Sequence, residues 1–175
     1  RFDGLLATWN AKSFVKNNHE FTVVSNSQGN AYLGKGNTLI TGHRCYLHLE
    51  YKAPVQGTTL ITLGGNAEGI TNDSNWHFYG KIRDVVDSTF RIGFQTIGVE
   101  DVSSEFRNCY IIDLTKLFGS DAEMCSALGV SNLTDSANLT LAAQNFEKLF
   151  PNSYYSYCEG KPINVGGYGV KWNQL

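Results

Sequence analysis

Three short runs of this 175-residue chain place ring and polar side chains on alternate positions. They are Arg44, Tyr46 and His48 in "GHRCYLHLEYK", His77 and Tyr79 in "NWHFYGKIR", and Arg91 and Gln95 in "TFRIGFQT". Such residues suit recognition better than bond cleavage. Rings cover apolar C–H surface, while guanidinium, imidazole and amide groups hydrogen-bond hydroxyls. A pyranose presents both features, an apolar face and a hydroxyl rim. If the three runs are neighbouring strands, the seven side chains gather on one wet face as a shallow saccharide site. The competing reading is a plain polar outer face, which Tyr and His fill without binding anything.

Catalysis has less support. The chain contains no G-x-S-x-G, H-E-x-x-H, P-loop or Cys–His signature. Glu50, Glu68 and Asp84 are carboxylates of the type a glycosidase pairs. Nothing in their spacing brings two together, and they are read as solvated, so no enzyme activity is expected. Cys45, Cys109, Cys125 and Cys158 are scattered, with no C-x-x-C pair or nearby His pattern, which argues against zinc. Free buried thiols are expected, with one disulfide as the alternative. Asp113 has two readings, a calcium ligand or the cap of the helical turn that follows it. Calcium needs about six oxygens or more, and the sequence names no others, so no metal or cofactor is assigned.

The charge balance removes other classes. A formal net charge of −2 without a run of basic residues argues against nucleic acid as a partner. No apolar stretch approaches the roughly 18 residues of a membrane span, and no signal peptide is recognisable. The chain begins at Arg1 and is expected to be an excised fragment or a processed product. Asn72, Asn132 and Asn138 open Asn-x-Ser/Thr triplets that are read as chance.

The elements that must position the seven candidates are strands. Period-two alternation runs almost without a break to about residue 113. In "HEFTVVS", Phe21 and Val23 oppose Glu20, Thr22 and Val24; in "GHRCYLHLEYK", Cys45, Leu47, Leu49 and Tyr51 oppose Arg44, Tyr46, His48, Glu50 and Lys52. In "NWHFYGKIR" the pattern sets Trp76, Phe78 and Ile82 inward against His77, Tyr79, Lys81 and Arg83. In "TFRIGFQT" it sets Phe90, Ile92 and Phe94 against Arg91 and Gln95. Strands also follow in "TTLITLGG" and "FRNCYIID", with Gly, Asn, Asp and Ser clusters between them as turns. Strands without long intervening helices make an antiparallel β-sandwich. Trp76 and Trp9 are read as core residues, and Trp172 as packing on a neighbouring domain.

From Thr115 the pattern turns helical. "LTKLFG" reads as one turn capped by Thr115 and ended by Gly119, and Ser120 with Glu123 forms a capping box for a short helix ended by Gly129. Leu139, Ala142, Ala143, Phe146, Leu149 and Phe150 then recur at helical spacing until Pro151. This predicts the longest helix at 138–150, its apolar stripe buried against the end of the sandwich. The expected organisation is a sandwich over 1–113, with a short helical cap and C-terminal segment over 114–175 packed on the same domain.

The stretch "FRNCYIIDLTKLFG", then "FEKLFP", then "YYSY" resembles a recurring segment of phage tail, baseplate and fibre proteins. Asp113, Leu114, Thr115, Leu117, Phe118, Gly119, Phe146, Leu149, Phe150, Pro151, Tyr154, Tyr155 and Tyr157 carry that likeness. The chain departs from the pattern after Gly119, where "DAEMCSALGVSNLT" replaces a shorter loop. "TLITGHRCYLHLEYKA" is similar to a strand of jelly-roll carbohydrate-binding modules, and "CYIID" to their last strand. Together these resemblances imply a jelly-roll, non-catalytic carbohydrate-binding module of a phage tail or baseplate. Its partners would be a host cell-surface saccharide and other phage tail proteins, and its place the virion or the extracellular space. The rival readings are a structural tail module that binds no sugar, and the accessory module of a surface adhesin or polysaccharide-degrading enzyme.

Overall fold

The chain divides into two compact units, Arg1–Ile112 and Asp113–Leu175. In the first, ten strands form two five-stranded sheets. They are β1 (Ala7–Thr8), β2 (Ser13–Asn17), β3 (Glu20–Val24), β4 (Asn30–Lys35), β5 (Arg44–Lys52), β6 (Thr58–Leu63), β7 (Asn66–Ile70), β8 (Trp76–Asp84), β9 (Phe90–Gln95) and β10 (Ser103–Asp113). The sheet orders are β1-β4-β9-β6-β7 and β2-β3-β10-β5-β8. Among the described strands of this unit, only β2–β3 and β6–β7 are hairpins within a sheet; the other connections cross between sheets, the habit of an antiparallel jelly-roll sandwich. This is a computed structural model. It describes residues 7–8, 11–17, 20–35, 39–55, 58–63, 65–88, 90–95, 98–150, 163–165 and 168–170, with the backbone alone along β1, β4, β6 and β9. Trp9, Pro151, Tyr154, Tyr155, Tyr157, Cys158 and Trp172 lie outside the described residues.

The core follows from the alternation of β3, β5 and β10. Phe21, Val23, Cys45, Leu47, Leu49, Tyr51 and Phe106 cluster with Tyr79, Val85 and Ala53. Phe21 stacks on Phe106 with ring centroids 5.3 Å apart. Ile70 of β7 packs against the same cluster, so both sheets contribute to it. Burying such side chains stabilises the fold by about 1.5–3 kcal/mol each.

β8 corrects one expectation. Trp76 and Phe78 are exposed, at 36% and 56%, and Tyr79 is buried within the core cluster. The sequence WHFYGKIR has apolar residues on both parities, so alternation alone does not say which face is inside. Pairing with β5 decides it, because Leu49 stands opposite Tyr79 and Tyr51 opposite His77. Lys81 and Arg83 therefore also point to the core side. They can do so because β8 ends its sheet, and an inward charge at an edge strand reaches the rim. There Glu68 of β7 accepts a hydrogen bond from Tyr79 Oη (2.9 Å), pairs with Arg83 and lies 3.6 Å from Lys81.

The second unit holds α1 (Leu114–Phe118), α2 (Asp121–Leu128), α3 (Ser136–Leu149) and an antiparallel pair, β11 (Ile163–Val165) with β12 (Tyr168–Val170), described by backbone alone. Asp113 rather than Thr115 caps α1, its Oδ1 accepting from the Lys116 N–H at 2.9 Å. Ser120 and Glu123 form the expected capping box, and Gly129 closes α2 in the left-handed region (φ 64°). α3 begins two residues earlier than expected. Asn132 Oδ1 gathers the Thr134 and Asp135 N–H groups ahead of it, so the amide of this Asn-x-Thr triplet serves the turn. Ala142, Ala143, Phe146 and Phe150 are buried, whereas Leu149 is exposed, because the stripe is narrower than the full apolar repeat. Cys109 and Cys125 are free thiols, and Cys45 is buried in the core. No described helix is long and apolar enough to cross a membrane.

Two stability outcomes follow for this unit. Phe146 is fully buried, stacked on Phe150 (4.7 Å) and edge-on to Phe118 (6.4 Å). Phe146→Ala should cost about 3–5 kcal/mol, seen as an earlier melt of the helical circular-dichroism signal; an unchanged melt would show that the ring is not part of a packed core. Glu147 is half-buried in the last turn of α3, and burial raises its carboxyl to about 7. Ionisation is then harder in the folded state, so stability falls as pH rises from the unfolded value toward 7 and stays low above it. Glu147→Gln should raise the melting temperature at pH 8 and leave it nearly unchanged near pH 4.

Candidate functional site

The face of the β2-β3-β10-β5-β8 sheet turned away from the core has two halves. Register places Arg44, Tyr46, His48, Glu50 and Lys52 opposite Asp84, Ile82, Gly80, Phe78 and Trp76, all on that outer face. On β10 the pairing with β3 sets Glu105 opposite Thr22 and Arg107 opposite Glu20. Asn108 then takes φ 53°, a left-handed conformation rare for a residue with a side chain. The alternation slips there like a bulge: Phe106 faces the core, and so do Cys109 and Ile111 beyond it, while Tyr110 meets the rings of Tyr46 and His48.

In the open half, side chains cross the strands in rows. One row runs Val15, Thr22, Glu105, Lys52, Trp76, with Lys52 Nζ 2.9 Å from Glu105 Oε1. The next runs Glu20, Arg107, Glu50, Phe78. Arg107 Nε donates to Glu50 Oε2 at 2.7 Å, its Nη2 lies 2.7 Å from the same oxygen, and Asn108 Nδ2 donates to Oε1 at 2.7 Å. The Arg107 guanidinium carbon lies 3.9 Å from the centroid of the Trp76 ring. Burial works to raise the Glu50 carboxyl, but the hydrogen bonds from Asn108 and Arg107 outweigh it and hold the group below its usual range. Glu68 is likewise lowered, burial being overcome by Tyr79, Arg83 and Lys81. Both carboxylates are kept ionised, the opposite of what a general acid needs. Asp84 is tied to Arg44 at 2.6 Å.

The seven residues expected to share one surface do not. Arg44, Tyr46 and His48 lie on the outer face, but all three are buried, Tyr46 at 0% and His48 at 2% exposure. His77 and Tyr79 lie on the opposite face. His77 stacks on Tyr51 (5.4 Å) and its Nε2 is 2.6 Å from Asp73 Oδ1; that bond, with the Asn75 N–H, draws Asp73 down to about 2. Arg91 and Gln95 belong to β9 in the other sheet, paired with Gly34 and Asn30 of β4 and with Thr62 and Thr58 of β6. The residues that do assemble include Trp76, Phe78, Arg107, Asn108, Glu50 and Lys52. Alternation gave no signal for the slip, because Phe106, Tyr110 and Ile112 keep one parity while Cys109 and Ile111 occupy the other.

The other half of the face is a closed aromatic stack. His48 lies parallel to Tyr110 (4.4 Å) and packs edge-to-face with Phe78 (4.9 Å). Gly80 stands opposite His48, and a Cβ there would come within 2.5 Å of Phe78 Cζ and 2.7 Å of Tyr46 Oη, so glycine makes the stack possible. Burial lowers the His48 imidazole to about 4, against the opposing charge of Glu50. An unfolded His titrates near 6.5, so the unfolded state takes up a proton first and stability falls as pH drops from about 6.5 to 4. The loss should reach about 3 kcal/mol. Denaturant melts between pH 7.5 and 4 should show it, and His48→Gln should flatten that slope; an identical slope in the variant would assign it to other groups.

No protein-family model matches this chain, and no curated protein matches it. Among solved structures it is similar to a family 4 carbohydrate-binding module, at 10% identity over 64% of this chain and 82% of that one, with a TM-score of 0.44. A variant of a family 29 carbohydrate-binding module complexed with cellulohexaose shares 12% identity over 61% of this chain and 77% of its own, also at 0.44. The enzymatically active domain of tailspike protein 4 from bacteriophage CBA120 shares 16% over 61% of this chain and 18% of its own, at 0.39. All are distant likenesses.

Proposed function

We propose that this chain is a non-catalytic carbohydrate-binding module whose ligand lies across the open half of the outer face. The observation that supports this best is the exposed pair Trp76 and Phe78 on the same face as Glu50, Lys52, Glu105 and Arg107. The two rings stand two residues apart on one strand, about 7 Å, and offer apolar surface to pyranose C–H faces. The charged groups beside them are already oriented by one another and present hydrogen-bonding atoms to hydroxyls. From Val15 to Trp76 a row crosses five strands, about 19 Å at the usual spacing, room for several sugar units. A protein hot spot would show more contiguous apolar surface than two rings among charges.

The segment "DLTKLFG", with "FEKLFP" downstream, supports placing the module in a phage tail or baseplate protein, where it would dock the virion on host cell-wall polysaccharide beside other tail proteins. An open face gains little from desolvation, so one module should bind in the micromolar to millimolar range, about −8 to −4 kcal/mol. Useful adhesion would come from many copies acting together.

Tyr46 and Tyr79 are buried, so their removal would test stability rather than contact. Trp76→Ala and Phe78→Ala remove exposed rings and should fold as the parent does. Each should weaken retention on purified bacterial cell walls about tenfold, the scale of one stacked-ring contact of about 1.4 kcal/mol. If both variants bind like the parent, the site is elsewhere. If the parent retains no glycan, the module is a structural part of the tail.

A further inference from the structure

Arg107 and Asn108 are consecutive, yet their side chains converge on one carboxylate. In a regular strand, neighbours point to opposite faces. The left-handed φ of Asn108 removes that restriction, and Glu50 receives Asn108 on Oε1 and Arg107 on Oε2. The Arg107 guanidinium, with Nε and Nη2 directed to Glu50, sits over Trp76 with its carbon 3.9 Å from the ring centroid. A guanidinium so fixed is a planar support for an indole.

We propose that Glu50 and Asn108 are positioning residues of this face: acting through Arg107, they hold the Trp76 indole as a pre-set platform and do not themselves contact the ligand. Both Glu50 oxygens are engaged by the clamp, and its side chain is mostly covered. The indole has one side against Arg107 and remains exposed elsewhere. A platform already ordered loses less freedom when a ligand lands on it. The proposal rests on reading the face as a saccharide site, but the clamp can be tested without a ligand.

The test uses a chain in which Trp9 and Trp172 are replaced by Phe, so that fluorescence reports Trp76 alone. Glu50→Gln removes the charge that anchors Arg107. Asn108→Gly keeps the backbone conformation and removes the amide. Without ligand, both should lower Trp76 anisotropy and raise acrylamide quenching, as Arg107→Lys should. On purified bacterial cell walls, both should weaken binding roughly tenfold, and neither should weaken it further when combined with Trp76→Ala. Unchanged quenching and anisotropy in both variants would overturn the clamp. An undiminished loss in the Trp76→Ala background would make Glu50 a ligand contact instead. A parent that binds no cell wall would remove the saccharide reading, while the fluorescence arm would still decide whether the clamp holds the indole.

Discussion

Backbone pairing between β5 and β8 sets Leu49 opposite Tyr79 and Glu50 opposite Phe78, and the outer face depends on that register. A slip of one residue would send Phe78 and Trp76 into the core and bring Tyr79, Lys81 and Arg83 out. The register is held from both sides. Toward the core, Leu47, Leu49, Tyr51 and Tyr79 bury together. At the rim, Glu68 of the other sheet engages Tyr79 and Arg83, groups that a one-residue slip would turn away from this partner. On the outer side, the lack of a side chain at Gly80 admits Phe78 and Tyr46 where they lie.

The bulge at Asn108 is the second constraint, and it divides the face. Before it, β10 contributes Glu105 and Arg107, long charged groups that cross to Lys52 and Glu50. After it, the same strand contributes Tyr110 to the stack on His48. One strand thus serves an open polar half and a closed aromatic half, because one residue of left-handed backbone shifts the alternation between them. The two halves meet at Phe78, which packs edge-to-face with His48 while much of its ring remains exposed.

Electrostatics on the open half is largely internal. Lys52 pairs with Glu105, and Arg107 with Glu50 and, at 3.9 Å, with Glu20. Surface pairs of this kind add little stability, about 0–1 kcal/mol each, so their main effect here is on orientation. They hold flexible side chains in one arrangement beside the rings.

The sandwich and the helices after residue 113 were legible in the sequence, because period-two alternation and helical caps are local properties that neighbouring residues enforce. The alternation of β3 and β5 was legible too, since each carries apolar residues on one parity far more than on the other. The candidate site was not. Trp76, Phe78, Ile82 and Tyr79 make β8 apolar on both parities, so only its partner strand could choose the face. Which strands share a sheet is also non-local: β9 has the same pattern as β5 but pairs with β4 and β6 in the opposite layer, taking Arg91 and Gln95 with it. His48 and Tyr46 read as wet by alternation, yet burial depends on what lies above a face, which no pattern along one strand contains. The sequence by itself determined the helices and the strands β3, β5, β6, β8, β9 and β10, but it did not mark β1, β2 or β4 and read the Gly- and Asn-rich stretch that holds β7 as a turn. Tertiary structure alone decided which of them meet, because register, sheet membership and the bulge at Asn108 are settled between segments distant along the chain.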